Sequence, residues 1–202
     1  MYRAVVFDFD GTLTRPGAID FAVLRRLLAC PAKVPILEFI DSLPDASARD
    51  AAHRVLDEFE LAAARASVPN EGAEDLVLSL SRARISCGIL TRNSLASVRE
   101  AMRHFHRISL EDFAAVVTRG DEGRPKPHPD GVHRAAALLG VAAAEILVVG
   151  DYVFDIAAGR AAGAATVFLT NAAPVPSMDE SAQFTIASLG ELAAILGLQD
   201  GR

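Results

Sequence analysis

The chain has no long basic run, no CxxC pair and no low-complexity tract. Twenty Lys and Arg face 26 Asp and Glu, giving a net charge of −6. That balance argues against nucleic acid or an anionic membrane surface as a partner. No uninterrupted apolar run reaches the roughly 20 residues that a membrane span requires. The most apolar region, 135–149, is broken by Glu145 and a glycine. The segment from Met1 to Phe7 is short for a signal peptide and runs into charge at Asp8. Cys30 and Cys87 lie far apart in the sequence, and buried thiols in a reducing cytoplasm are the expected reading. What remains is an ordinary globular composition, 51% hydrophobic and 23% charged over 202 residues. It suffices for one full core and a smaller appendage.

Apolar runs at Ala4–Phe7, Ile85–Leu90, Ala114–Thr118, Ile146–Val149 and Ala165–Leu169 read as strands. Most are continuous, not alternating, the pattern of strands covered on both faces of a parallel sheet. Helical patterns at Ala73–Ala83, Ser94–Phe105, Gly131–Leu139, Ile156–Ala162 and Ser188–Leu196 alternate with them. This order predicts an α/β fold with a doubly wound, Rossmann-like parallel sheet. One stretch breaks the rhythm. From 15 to 68 there is no strand signal, only three helical patterns at Ile19–Ala29, Pro35–Ser42 and Ser47–Ala66. Some fifty residues is long for a connection. The segment 15–68 is therefore expected to be a small helical cap inserted after the first strand, with 1–14 and 69–202 forming the core. Gly17 and the stretch 69–72 are candidate hinges of a lid, and a rigidly packed helical decoration is the alternative.

The run Val5-Val6-Phe7-Asp8-Phe9-Asp10-Gly11 places two carboxylates one residue apart where a strand ends. Adjacent anions repel unless a cation or a shared proton offsets them. A metal site is one reading, and an Asp-Gly turn after a strand is the other. Three further features fall at strand ends, where open α/β sheets hold ligands. Thr91, Arg92 and Asn93 offer a hydroxyl, a cation and an amide just before a helix, suited to cradling phosphate or simply to capping. Lys126 stands among Pro125, Pro127 and Pro129, a stiff loop holding one cation aimed at carboxylates or at solvent. Asp151 and Asp155 follow Val148-Val149-Gly150 with helical spacing. Beside Asp8 and Asp10 they would form an acidic cluster suited to Mg²⁺, with Asp155 in a supporting position; alone, Asp151 reads as a helix cap. His128 is read as a surface residue.

These motifs, taken in order, resemble those of the haloacid dehalogenase-like hydrolase superfamily: Asp8-Phe9-Asp10-Gly11-Thr12-Leu13, then Thr91, then Lys126-Pro127 with Pro129, then Gly150-Asp151 and Asp155. The resemblance implies Asp8 as a nucleophile that forms an aspartyl-phosphate and Asp10 as general acid and base. It implies Thr91 as a ligand of the phosphoryl group and Lys126 as its electrostatic support. It further implies Mg²⁺ held by Asp8, the Asp10 carbonyl and Asp151, with Asp155 assisting. Dehalogenases of the superfamily lack an aspartate at the position of Asp10, which favours phosphoryl transfer. A phosphonate-cleaving relative would use a cap lysine, and Lys33, the lone lysine there, has no supporting context. The small cap is similar to that of phosphoglycolate phosphatases and β-phosphoglucomutases. The expected activity is Mg²⁺-dependent hydrolysis of a small phosphorylated metabolite. A phosphomutase of the β-phosphoglucomutase type, or a non-catalytic phosphate-binding regulator, are the alternatives. Arg25, Arg26, Lys33, Arg49, His53 and Arg54 are candidates to meet a second anionic group on the substrate. Oligomeric state is not legible in the sequence.

Overall fold

The computed structural model describes residues 2–173 and 182–198; the last stretches of the segment expected as core, 174–181 and 199–202, lie outside these. Six parallel strands form one sheet: β1 (Ala4–Phe7), β2 (Ser86–Leu90), β3 (Ala115–Val117), β4 (Ile146–Gly150), β5 (Ala165–Leu169) and β6 (Phe184–Ile186). Their order is β3-β2-β1-β4-β5-β6, so the direction of winding reverses between β1 and β4. Alternate residues of β1 serve opposite faces. Val5 and Phe7 enter a core with Leu76, Leu80 and Val98, while Ala4 and Val6 enter one with Val132, Ala135 and Ala158. Both faces are covered, which explains the continuous apolar runs.

Helices α4 (Ala73–Arg82) and α5 (Leu95–Met102) cover one face, and α6 (Asp130–Leu139) and α7 (Val153–Ala161) the other. Helix α8 (Leu192–Leu196) closes the described chain. Three expectations need correction. The three-residue β6 is too short to show a strand pattern. Helix α7 begins at Val153, three residues before the apolar signal at Ile156, because Asp155 stabilises its first turn by accepting from Tyr152 N at 3.1 Å. Helix α8 is shorter than 188–196, since a single tight turn at Leu189–Glu191 precedes it.

Between β1 and α4 come α1 (Phe21–Leu28), α2 (Ile36–Ser42) and α3 (Ala46–Ala66), with no strand among them. Asp20 caps α1 and Asp45 caps α3 through side-chain bonds to backbone N–H groups. These helices close around their own apolar cluster of Leu24, Cys30, Ile36, Leu37, Ile40 and Leu56. The two chain segments that connect them to the sheet run side by side. Arg15 N donates to Val68 O at 3.0 Å and Asn70 N to Leu13 O at 2.8 Å. Both cysteines are buried and unpaired. Among the described residues, no helix is long and apolar enough to cross a membrane.

Candidate active site

Sheet register gathers the motif residues. Phe7 pairs with Ile89 of β2 and Val149 of β4. Asp8 therefore stands level with Leu90 and Gly150, and Thr91 and Asp151 lie one residue further along. Leu90 pairs with Val117, which sets Thr118 beside Thr91. The site thus lies at the carboxyl edge of the sheet, at the point where the winding reverses.

The strand ends at Phe7, so loop geometry aims the two aspartates. Phe9–Leu13 folds into a tight turn, with Thr14 N donating to Phe9 O at 2.9 Å. Gly11 adopts φ +77°, and a Cβ there would lie 2.1 Å from Asp151 Oδ2. Glycine is what lets the β4 loop approach the β1 loop. Thr14 Oγ1 donates to Asp10 Oδ1 at 3.3 Å, and Asn93 Nδ2 donates to Asp10 Oδ2. Burial, with Asp8 and Glu60 nearby, pushes the Asp10 carboxyl up to about 6, against the opposing pull of those hydrogen bonds.

Lys126 is buried, and its ammonium uses all three donors. They reach Asp8 Oδ1 at 2.6 Å, Asp155 Oδ1 at 2.5 Å and Leu90 O at 2.8 Å. Burial alone would lower its pKa, but Asp155 and Asp8 outweigh that and raise it. It is thus a fixed cation, not a solvated surface lysine.

Carboxylate oxygens of Asp8, Asp151 and Asp155 all lie within 4.8 Å of one another. Burial raises the Asp151 carboxyl, and Asp8 and Asp155 raise it further. One ammonium among these acids leaves them under-neutralised, and an all-oxygen donor set fits a hard divalent cation. Asp155 already accepts from Lys126 and Tyr152 N with its two oxygens, which fits support of a cation more than direct ligation.

Thr91 is buried, its Oγ1 accepting from Asn93 N at 3.2 Å. Arg92 makes no hydrogen bond to Asp8 among the described residues. It pairs with Glu38 of α2 at 2.6 Å, donates to Lys126 O and stacks 5.0 Å over Phe154. His128 pairs with Asp130 at the surface side of its loop, at 2.9 Å. Of the basic groups expected to meet a second anion, Arg25 instead binds the carbonyls of Pro31 and Val34, and Arg49 that of Leu43.

Three further residues at this edge carry no sequence motif. Besides Glu38, Glu60 of α3 forms a buried pair with Arg119, in the loop after β3, at 2.5 Å. Asp57 joins it on the same guanidinium. The clue available was position, since Arg119 directly follows a predicted strand. A cavity of 280 Å³ opens beside Thr91 and Lys126, bounded by Leu37 and His53 from the helical segment and by Arg119.

A family model described as "haloacid dehalogenase-like hydrolase" matches residues 2–163. An uncharacterized hydrolase of Saccharomyces cerevisiae is 35% identical over 198 residues, covering 97% of this chain and 90% of its own. A phosphoglycolate phosphatase of Xylella fastidiosa is 28% identical over 179 residues, covering 80% and 77%. The crystal structure of a hydrolase from Pseudomonas syringae superimposes with a TM-score of 0.79 at 20% identity, covering 98% of this chain and 100% of that one.

Proposed function

This chain belongs to the haloacid dehalogenase-like hydrolases, and on that premise we propose that it is a Mg²⁺-dependent phosphatase of small phosphate monoesters. The observation that carries the reading is the fixed Lys126 ammonium joining Asp8 and Asp155, beside a second carboxyl, Asp10, held apart by Asn93. Two carboxylates in different electrostatic settings suit two roles.

In the first step an Asp8 oxygen bonds to phosphorus as the ester P–O bond breaks, and the departing alkoxide takes the proton of Asp10. In the second, Asp10 takes a proton from water as its oxygen bonds to phosphorus and the Asp8 oxygen leaves. The elevated pKa of Asp10, about 6, supports an acid that can also serve as a base near neutrality. Thr91 binds the phosphoryl group; Asn93 orients Asp10, and Lys126 keeps Asp8 in place and offsets incoming charge. Arg92 reaches the substrate side only if Glu38 releases it. Asp8, the Asp10 carbonyl and Asp151 would hold Mg²⁺, with Asp155 in support, and the ion would supply charge neutralisation at the phosphoryl oxygens.

Residues 15–68 serve as a cap over the core of 1–14 and 69–202, with the paired connections near Thr14 and Pro69 as its hinge. Thr91 and Lys126 both line the 280 Å³ cavity, which is compatible with a small phosphate ester. The phosphoglycolate phosphatase among the relatives supports the same class. Two buried, unpaired thiols support a reducing compartment such as the cytoplasm.

The test is phosphate release from a panel headed by phosphoglycolate and hexose phosphates, with and without Mg²⁺. Release should require Mg²⁺, and Asp8→Asn should abolish it while the fold persists. Normal turnover by that variant would remove Asp8 as nucleophile. Isomerisation of a hexose phosphate without net release would assign the mutase reaction.

A further inference from the structure

We propose that Glu60 and Arg119 form a positioning unit that holds the Arg92–Ser94 loop, and through Asn93 the acid–base carboxyl of Asp10. Glu60 lies on α3, in the helical segment outside the sheet, and Arg119 in the loop after β3. Neither touches the reacting atoms. Both are largely buried, with side-chain exposures of 5% and 14%.

The loop carries its own backbone atoms to this pair. Arg119 Nη1 donates to Arg92 O at 3.0 Å, and Arg119 N to Asn93 O at 2.9 Å. Glu60 Oε2 accepts from Ser94 N at 3.2 Å. The ion pair, which closes through two contacts at 2.5 and 3.0 Å, thus holds Arg92 and Ser94 on either side of Asn93, while the Arg119 backbone holds Asn93 itself. The Asn93 amide then projects onto Asp10 Oδ2. An amide borne by a loop pinned at three successive points keeps its aim; loosened by an ångström, it can forfeit roughly 100-fold in rate. Because Glu60 comes from α3, acid–base alignment of Asp10 depends on α3 being seated against the loop.

Asp57 provides the internal control. It sits one helical turn before Glu60 and holds the same guanidinium, but makes no hydrogen bond to residues 92–94 among the described residues. A pair that merely docks α3 would feel the loss of either acid. A positioning unit would feel the loss of Glu60 far more.

The inference rests on the phosphatase reading, and the experiment separates the two. Wild type, Glu60→Gln and Asp57→Asn are compared on an alkyl phosphate and on p-nitrophenyl phosphate, whose leaving group departs without a proton. For Glu60→Gln, kcat on the alkyl ester should fall roughly 10- to 100-fold with KM little changed. On p-nitrophenyl phosphate the same variant should release a rapid burst of nitrophenol equal to the enzyme present, then turn over slowly. The first step no longer needs the acid of Asp10, while the second still needs its base. Asp57→Asn should stay within about 2-fold of wild type, as an exposed partner contributes little. Glu60→Asp should recover only part of the loss, being one methylene short. Equal losses in the two acid-to-amide variants, or a Glu60→Gln variant with reduced burst amplitude, would reduce the pair to a structural dock and overturn the proposal. Wild type inactive on every monoester would instead remove the phosphatase reading beneath it.

Discussion

Asp10 sits where burial, Asp8 and Glu60 all disfavour its charge. Its carboxyl rises from 3.8 to about 6, so between these pH values the folded chain keeps a proton that the unfolded chain has lost. Stability therefore falls as pH rises through that window, and the full penalty persists above it. Two units correspond to about 3 kcal/mol. Asp10→Asn is accordingly expected to melt higher than wild type at pH 7.5 in the presence of a chelator, with the gain gone near pH 4. Melting curves at the two pH values decide it, and an unchanged or lowered midpoint at pH 7.5 contradicts the assignment. The same side chain was legible in the sequence as half of an aspartate pair. Its partners were only half so. Asn93 stood out through its place after β2, whereas Glu60 looks like any acid on an amphipathic helix face. A residue whose function depends on what a distant loop brings to it has no local signature.

The turn after β1 shows how an element shapes chemistry. Gly11 is the point at which two loops nearly touch, with positive φ and no room for a Cβ beside Asp151. Gly11→Ala should destabilise the fold by at least about 1 kcal/mol and displace the Asp151 carboxylate. Calorimetric titration with Mg²⁺ should then show affinity weakened about 10-fold or more, since a ligand has moved. Unaltered Mg²⁺ affinity would separate Asp151 from the cation site. At this scale the sequence was informative where a continuous apolar run of sufficient length stood out, as in β1, β2, β4 and β5. It was silent for β6, whose three residues are too few to show a pattern. It was late by a turn for α7, because Asp155 and not an apolar side chain starts that helix. The capping residues Asp20 and Asp45 lie where apolar periodicity begins.

The whole molecule holds two separate kinds of core: the two faces of the sheet, and the cluster closed by α1, α2 and α3. Ile40 is fully buried in the latter. Ile40→Ala should remove about 2–5 kcal/mol of packing there. Hydrogen exchange should then accelerate across α1–α3 while β1, β2 and β4 keep their protection. Uniform acceleration through the sheet would mean that the helical segment is not a separate unit. The absence of strands between β1 and α4 was readable as fifty residues without a strand signal. How the segment is fastened was not, because the Arg92–Glu38 and Arg119–Glu60 pairs join residues far apart in the chain.

The position of β1 between β2 and β4 also sets an order of events during synthesis. Its partner on one side, Ile146–Gly150, emerges long after Ala4–Phe7. At about 5–20 residues per second, the strand waits on the order of ten seconds with that edge unpaired. Meanwhile α1–α3 can already collapse on their own apolar cluster. The strand leading into Asp8 is thus made before the other five and waits longest for its second neighbour, so the nascent chain is exposed to misassociation through the segment on which its chemistry depends.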